Sequence, residues 1–217
     1  MSVETILKYG VRVLIIFMVL PVHEFAHAYA ARKLGDRTAE NMGRLTLNPF
    51  AHIDIFGSLC LVLTGFGWAK PVPVNPNRFK HYKSGTIITA IAGPLSNLIV
   101  AYIGCVIHKF ISNIVISYGT SSTTVGYLLI ILEFFVSINV SLAVFNLLPI
   151  PPLDGSSLLT TFLPYKYRVK MGEYQMYISI AFIVIIFSGI LNKPLTFLSD
   201  VVTYVIGFLS GWVDLIF

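Results

Sequence analysis

"VLPVHEFAHAYAARKLG", residues 19–35, decides how the rest of the chain is read. A His-Glu-x-x-His cluster and a proline stand at the end of an apolar run that begins near Val11. Ionisable side chains are costly in such a run unless something compensates them. Read as helix, the segment stacks His23 and His27 on one face, because positions i and i+4 are neighbours. Both imidazoles can then meet one ion, and zinc accepts nitrogen at about 2.0–2.1 Å in a tetrahedral shell. Glu24 follows about 100° around the helix, so it can reach a water at the ion without being a ligand. That is the layout of a zinc hydrolase whose glutamate takes a proton. The bland alternative is a polar helix face. Pro21 removes a backbone hydrogen bond nearby, which bends the helix and leaves room for water, or simply kinks it.

The composition says what surrounds this cluster. Of 217 residues, 56% are hydrophobic and 12% charged, against roughly 45–50% and about 25% in soluble domains. With a mean hydropathy of +0.81, the chain reads as an integral membrane protein. The formal charge of +5 then speaks of topology and anionic lipid, and no nucleic-acid partner is expected. Cys60 and Cys105 lie in apolar stretches without paired spacing, as packing residues do. The first apolar segment is too long for the core of a signal peptide and ends in charge.

Five segments are long enough to cross a bilayer, which takes about 20 residues: 5–34, 86–117, 126–148, 173–191 and 195–217. The expected fold is an all-α polytopic membrane protein: a three-helix catalytic core plus about two further helices. It forms one membrane-embedded domain over 1–217, with the core at about 5–165 and the C-terminal helices at about 173–217. The last segment carries Asp200 and Asp214, so it either spans the membrane or lies along it. Between the first two core helices, short β-prone runs are broken by Gly-Phe-Gly and Pro-Val-Pro. They predict a membrane-embedded β-hairpin or re-entrant region. Such backbone is tolerated at membrane depth only beside protein or water, which points to a wet cavity. A hairpin there could also pair with an unwound substrate strand.

Eleven of the fifteen Lys and Arg residues, Arg44 among them, fall on one side of an alternating five-span scheme, and Lys8, Arg12, Lys109 and Lys193 fall on the other. The positive-inside bias makes the richer side cytoplasmic, with the N-terminus outside and the C-terminus inside. His27 is then about 7 Å and His23 about 13 Å from the interface marked by Arg32. A catalytic zinc takes three protein ligands and keeps one position open. His81 and His108 are badly placed. Asp154, in "NVSLAVFNLLPIPPLDGSSLL" (139–159), follows prolines that end the third span, on the same side as the histidine pair. It is either the cap of the next helix or the third ligand. Glu133 lies too far from that level to be a ligand, and its expected state is protonated or hydrogen-bonded within the bundle.

"HEFAH" in the first core span, "AGPLSN" opening the second and "FNLLPIPPLDG" closing the third resemble the site-2 protease family of intramembrane zinc metalloproteases. "GRLTLNPFAHID" and "GWAKPVPVNP" resemble its small bacterial branch without PDZ or CBS domains. The resemblance covers about 15–165. It implies one zinc per chain, held by His23, His27 and Asp154, with Glu24 as general base. It implies regulated cleavage within or next to the transmembrane segment of a single-span substrate, in the cell membrane, with the active site near the cytoplasmic side. Asn97 and Asn146 lie in the matching motifs. Each is a candidate for the oxyanion or the substrate backbone, or an ordinary interhelical bond. His52 and Asp54, in "NPFAHID", either face the cavity and contact substrate or water, which makes His52 a third candidate for the substrate or oxyanion, or belong to a surface loop. A metal-binding transporter and a non-catalytic membrane scaffold are the competing readings. The natural substrate and the oligomeric state are not written in the sequence.

Overall fold

The computed structural model describes residues 3–64, 67–119 and 122–217, and among these every regular element is helical. Helix α1 (Val3–Leu14) runs through one wide π turn, Ile15–Val19, into α2 (Leu20–Lys33). The π turn sits where Pro21 deprives a carbonyl one turn upstream of its N–H partner, so the expected disturbance takes this form. After the short α3 (Thr38–Asn41) comes α4 (Ile55–Thr64), then a strap without regular structure over 69–75. Helices α5 (Tyr82–Tyr118) and α6 (Thr123–Asn146) follow, then α7 (Asp154–Phe162), α8 (Tyr165–Glu173), α9 (Gln175–Phe187) and α10 (Asn192–Leu209).

Among the described residues, four helical stretches are long and apolar enough to cross a membrane: Tyr9–Lys33, Tyr82–Tyr118, Thr123–Asn146 and Asn192–Leu215. Their core is made of small groups. Gly93, Asn97, Ala101 and Gly104 form the buried stripe of α5. Val136, Asn139, Val140 and Ala143 of α6 face inward, and Ile206 of α10 joins the cluster around Ala101 and Val140. Lipid solvates large aliphatic side chains as well as a protein core does, so membrane helices use small residues for close approach. Ile88, Leu95, Ile99 and Ile103 of α5 accordingly point outward.

The β-hairpin expected between the first two core helices is not there: among the described residues that region holds no strand. The short apolar run is instead helix α4. Asp54 starts it, its carboxylate accepting from the Gly57 N–H at 2.8 Å. The following Pro-Val-Pro-Val stretch has no regular structure, and Pro71 and Pro73 bring no N–H to a ladder. The re-entrant alternative fits better. Gly57 lies so close to the returning chain that a β-carbon there would stand 2.2 Å from the Trp68 carbonyl. Arg12, counted from sequence as an outer topological charge, is buried and donates to the Val62 carbonyl at the end of α4.

The two C-terminal segments also depart from simple alternation. Helices α8 and α9 are bent by 66° at Tyr174. Ser179 lies 3.5 Å from the Pro151 carbonyl, Phe182 stacks on Phe145, and Asn192 lines a groove beside Leu142 and Phe145. The α8–α9 pair therefore dips in and returns on the Pro151 side. Helix α10 then runs to the other end, where Asp214 takes hydrogen bonds from Lys109 and Asn113 at 2.9 and 3.0 Å. The 195–217 segment thus has a crossing helix, and its terminus lies beside the C-terminal part of α5, not on the side of the basic connection.

Candidate metal centre

One turn of α2 places His23 and His27 side by side, with their Nε2 atoms 3.1 Å apart. Asp154 comes from a different part of the chain. Pro149, Pro151 and Pro152 end α6, and the turn closes so tightly that a β-carbon on Gly155 would stand 2.2 Å from the Leu147 carbonyl. Asp154 is the first residue of α7 and no cap: Leu153 holds that position. Its Oδ2 lies 3.2 Å from His23 Nε2 and 3.3 Å from His27 Nε2.

The protonation pattern gives this triangle its meaning. His23 Nδ1–H donates to Asn97 Oδ1 at 2.6 Å, and His27 Nδ1–H donates to the Thr89 carbonyl at 2.7 Å. A neutral imidazole that donates through Nδ1 presents a lone pair at Nε2. Two such lone pairs and a buried carboxylate oxygen with no hydrogen-bond donor then converge. Three acceptors facing one point want a cation. Tetrahedral bonds of 2.0–2.1 Å separate two ligand atoms by about 3.3 Å, close to the spacings found. The residues present therefore fit zinc.

Support behind the triangle is layered. Asn97 Nδ2 donates to Asn139 Oδ1 at 3.0 Å, and Asn139 Nδ2 donates to the Phe135 carbonyl at 2.8 Å. Each histidine is thus aimed through its distal nitrogen, the usual device for fixing a metal-binding tautomer. Gly93 leaves open space beside them: a β-carbon there would stand 2.2 Å from His27 Nε2 and 2.7 Å from His23 Nε2.

Glu24 is buried next to the pair, and its Oε2 accepts from the Val72 N–H at 2.8 Å. It shares a cavity of about 250 Å³ with His27, Asp154, Pro71, Val72 and Val74. The strap that forms one wall is tied along its length. Arg44 donates to the Lys70 carbonyl at 2.6 Å, the His52 carbonyl accepts from Lys70 N–H at 2.8 Å, and Asp36 accepts from Asn75 N–H at 2.7 Å. Burial pushes the Asp36 carboxyl up, yet the N–H of Asn75, the hydroxyl and N–H of Thr38 and the Arg78 charge together hold it below its ordinary value.

The sequence-derived site residues fall into two groups. His23, His27, Asp154 and Glu24 are brought together. The three secondary candidates are not brought to the cavity. Asn97 is fully buried with both ends of its amide engaged. Asn146 donates to the Leu142 carbonyl one turn back at 3.0 Å. His52 is buried and donates from Nε2 to the Thr46 carbonyl at 2.8 Å. Asp36, Arg44, Gly93 and Asn139 are the positions that sequence reasoning missed. Only Asp36 carried a local signal: an Asp two residues before a Thr, the spacing of an Asx turn.

Residues 11–188 match the sequence model of peptidase family M50. The chain belongs to that family, the site-2 proteases. It is 40% identical over 168 residues to a Bacillus subtilis protein named "Putative zinc metalloprotease YwhC", covering 76% of this chain and 74% of the relative. It is 28% identical over 193 residues to "Putative zinc metalloprotease Rip2" of Mycolicibacterium smegmatis, covering 85% and 70%. No solved structure matches. Membership, together with the four crossing helices, makes the chain a multi-pass membrane protein of metalloprotease type.

Proposed function

We propose that this M50 protein is an intramembrane zinc endopeptidase. It acts as one membrane-embedded domain with one zinc per chain, and hydrolyses peptide bonds within or next to the transmembrane segment of a single-span substrate. His23, His27 and Asp154 hold the metal, and Glu24 is the general base. The site works near the cytoplasmic side of the cell membrane. The observation that carries this reading is the triangle of lone pairs 3.1–3.3 Å on a side, with both histidines fixed from behind.

Bound there, zinc supplies Lewis acidity, which brings the pKa of water towards about 7 and polarises the scissile carbonyl. The protein does the rest. The Val72 N–H fixes one oxygen of Glu24, which leaves the other to take the proton of the attacking water. Returned to the leaving nitrogen, the same proton completes hydrolysis. Asn97 and Thr89 keep the two imidazoles in one tautomer throughout. The strap forms one wall of the cavity, whose volume of about 250 Å³ leaves room for a short extended stretch of chain.

Glu24→Gln separates binding from chemistry. Purified variant protein should retain zinc, while its membranes accumulate single-span fragments that wild-type membranes have lost, as seen by membrane proteomics. Matching fragment profiles with zinc retained would refute the assigned base.

A further inference from the structure

A second cavity, of about 560 Å³, lies away from the metal centre between the α1–α2 junction, α4, α6 and α10. Its lining is unusual for a lipid-facing groove. Ser137 and Ser141 come from α6, and Thr196, Ser199 and Asp200 from α10. Elsewhere in this chain hydroxyls bond back to helix carbonyls: Ser96 to Gly93, Ser179 to Gln175, Ser188 to Ile185 and Ser210 to Gly207. Among the described residues, none of the five groove side chains makes a hydrogen bond or ion pair. Glu133 stands one turn beyond Ser137 on the same face of α6 and is equally unpartnered. Polar groups at membrane depth are costly until they are paired.

The placement of the groove says what pairs with them. Leu20 lines its inner end, one helical turn before Glu24, and Gly67 lines it just before the strap reaches the metal site. Asp200 lies eight residues, about 12 Å, along α10 from Asn192 at that same inner end. A helix lying in the groove would therefore deliver its inner end to the strap and present a middle residue to Asp200.

We infer that this groove receives the substrate's transmembrane segment, and that Asp200 selects segments carrying a cationic side chain about two helical turns outward from the end that is cut. The inference rests on the endopeptidase reading. The hydroxyls of Ser137, Ser141, Thr196 and Ser199 solvate the cation and any backbone N–H freed as the segment unwinds. Asp200 neutralises a charge that lipid would otherwise penalise, and Glu133 extends the acidic row outward. A segment with leucine at that depth leaves the carboxylate without a partner and docks less well.

The test uses the full chain co-expressed with single-span reporters that differ only in the position of one lysine. Wild type should cleave the reporter with lysine at the Asp200 depth roughly tenfold faster than its leucine counterpart. Asp200→Ala should cleave both alike, and Asp200→Lys should prefer aspartate at that position. Purified Asp200→Ala should carry the same zinc per chain and the same helical circular dichroism as wild type, which shows that the variant is folded and its metal site intact, and wild type should hydrolyse a short water-soluble peptide in detergent. A photo-reactive residue at position 141 should crosslink to the reporter. A cleaving wild type whose lysine preference survives in Asp200→Ala overturns the inference alone, as does a crosslink joining two copies of the protease. A wild type that cleaves neither reporter nor peptide overturns the endopeptidase reading and this one with it.

Discussion

Two groups of polar side chains stand in the apolar part of this molecule, and they are held in opposite ways. Around the metal centre, each imidazole is fixed from behind: Asn97 on His23, Asn139 on Asn97, the Thr89 carbonyl on His27. What stays open is one point where three acceptors meet. Along the groove between α6 and α10, Ser137, Ser141, Thr196, Ser199 and Asp200 have no such support. The first group is rigid and incomplete by one ion. The second is incomplete along its whole length, as suits a surface meeting a chain whose sequence varies. A preorganised centre serves chemistry, since its geometry costs nothing further at the moment of reaction. An unpartnered stripe serves recognition. Damage to the first should therefore appear in metal content, and damage to the second only with membrane-embedded substrates.

The sharpest way to break this contrast is Gly93→Ala. The new methyl would occupy the space beside both Nε2 atoms, 2.2 Å from that of His27. Zinc per purified chain, measured by elemental analysis, should fall from about one to near zero, because the two rings can turn away from the methyl only by breaking their bonds to Asn97 and the Thr89 carbonyl. Helical content by circular dichroism should be unchanged. Full zinc loading would show that the open point is not where the metal sits. Asn97→Ala should do less. It frees His23 Nδ1, so the imidazole can rotate or take the other tautomer. Loss of such a supporting bond typically weakens metal affinity by roughly 10–100-fold. Competition with a chromophoric chelator measures this directly. Unchanged affinity would mean that packing against Gly93, not the amide, aims the ring.

How far the sequence carried the argument depends on the range of the forces involved. The His-Glu-x-x-His turn was legible because helical periodicity alone stacks His23 on His27. Asp154 was legible because three prolines end a helix on the same side of the membrane. The crossing helices followed from hydropathy. Helix α4 did not, since a short apolar run bounded by glycines suits a strand as well as a helix, and the Gly57–Trp68 approach that settles it is tertiary. Asn97 was visible as a polar residue in a span, but its direction depends on how α5 rotates against α2 and α6. Hydropathy marks 173–191 as apolar enough to cross, because it measures length of apolar chain and is blind to the 66° bend at Tyr174 and to where that chain returns. Arg44 was counted as a topological charge, and nothing local reveals that it holds the Lys70 and Pro71 carbonyls.

Asp36 gives the smallest effect and a signature of its own. It lies just beyond α2, fully buried, and ties two loops together through Thr38 and Asn75. Hydrogen bonds to a charged group contribute about 1.5–3 kcal/mol, so Asp36→Asn should lower Tm modestly at neutral pH without removing zinc. The pH dependence follows from the depressed carboxyl of the folded protein. A group held below its unfolded value, about 3.9, contributes its full stability above that value and loses it as pH falls through the folded one. The gap in Tm between wild type and Asp36→Asn should therefore be constant from neutral pH down to about 5 and close below about 4. A gap that widened in acid would mean the carboxyl is held neutral in the folded chain, and that the strap beside Glu24 is anchored by something other than this charge.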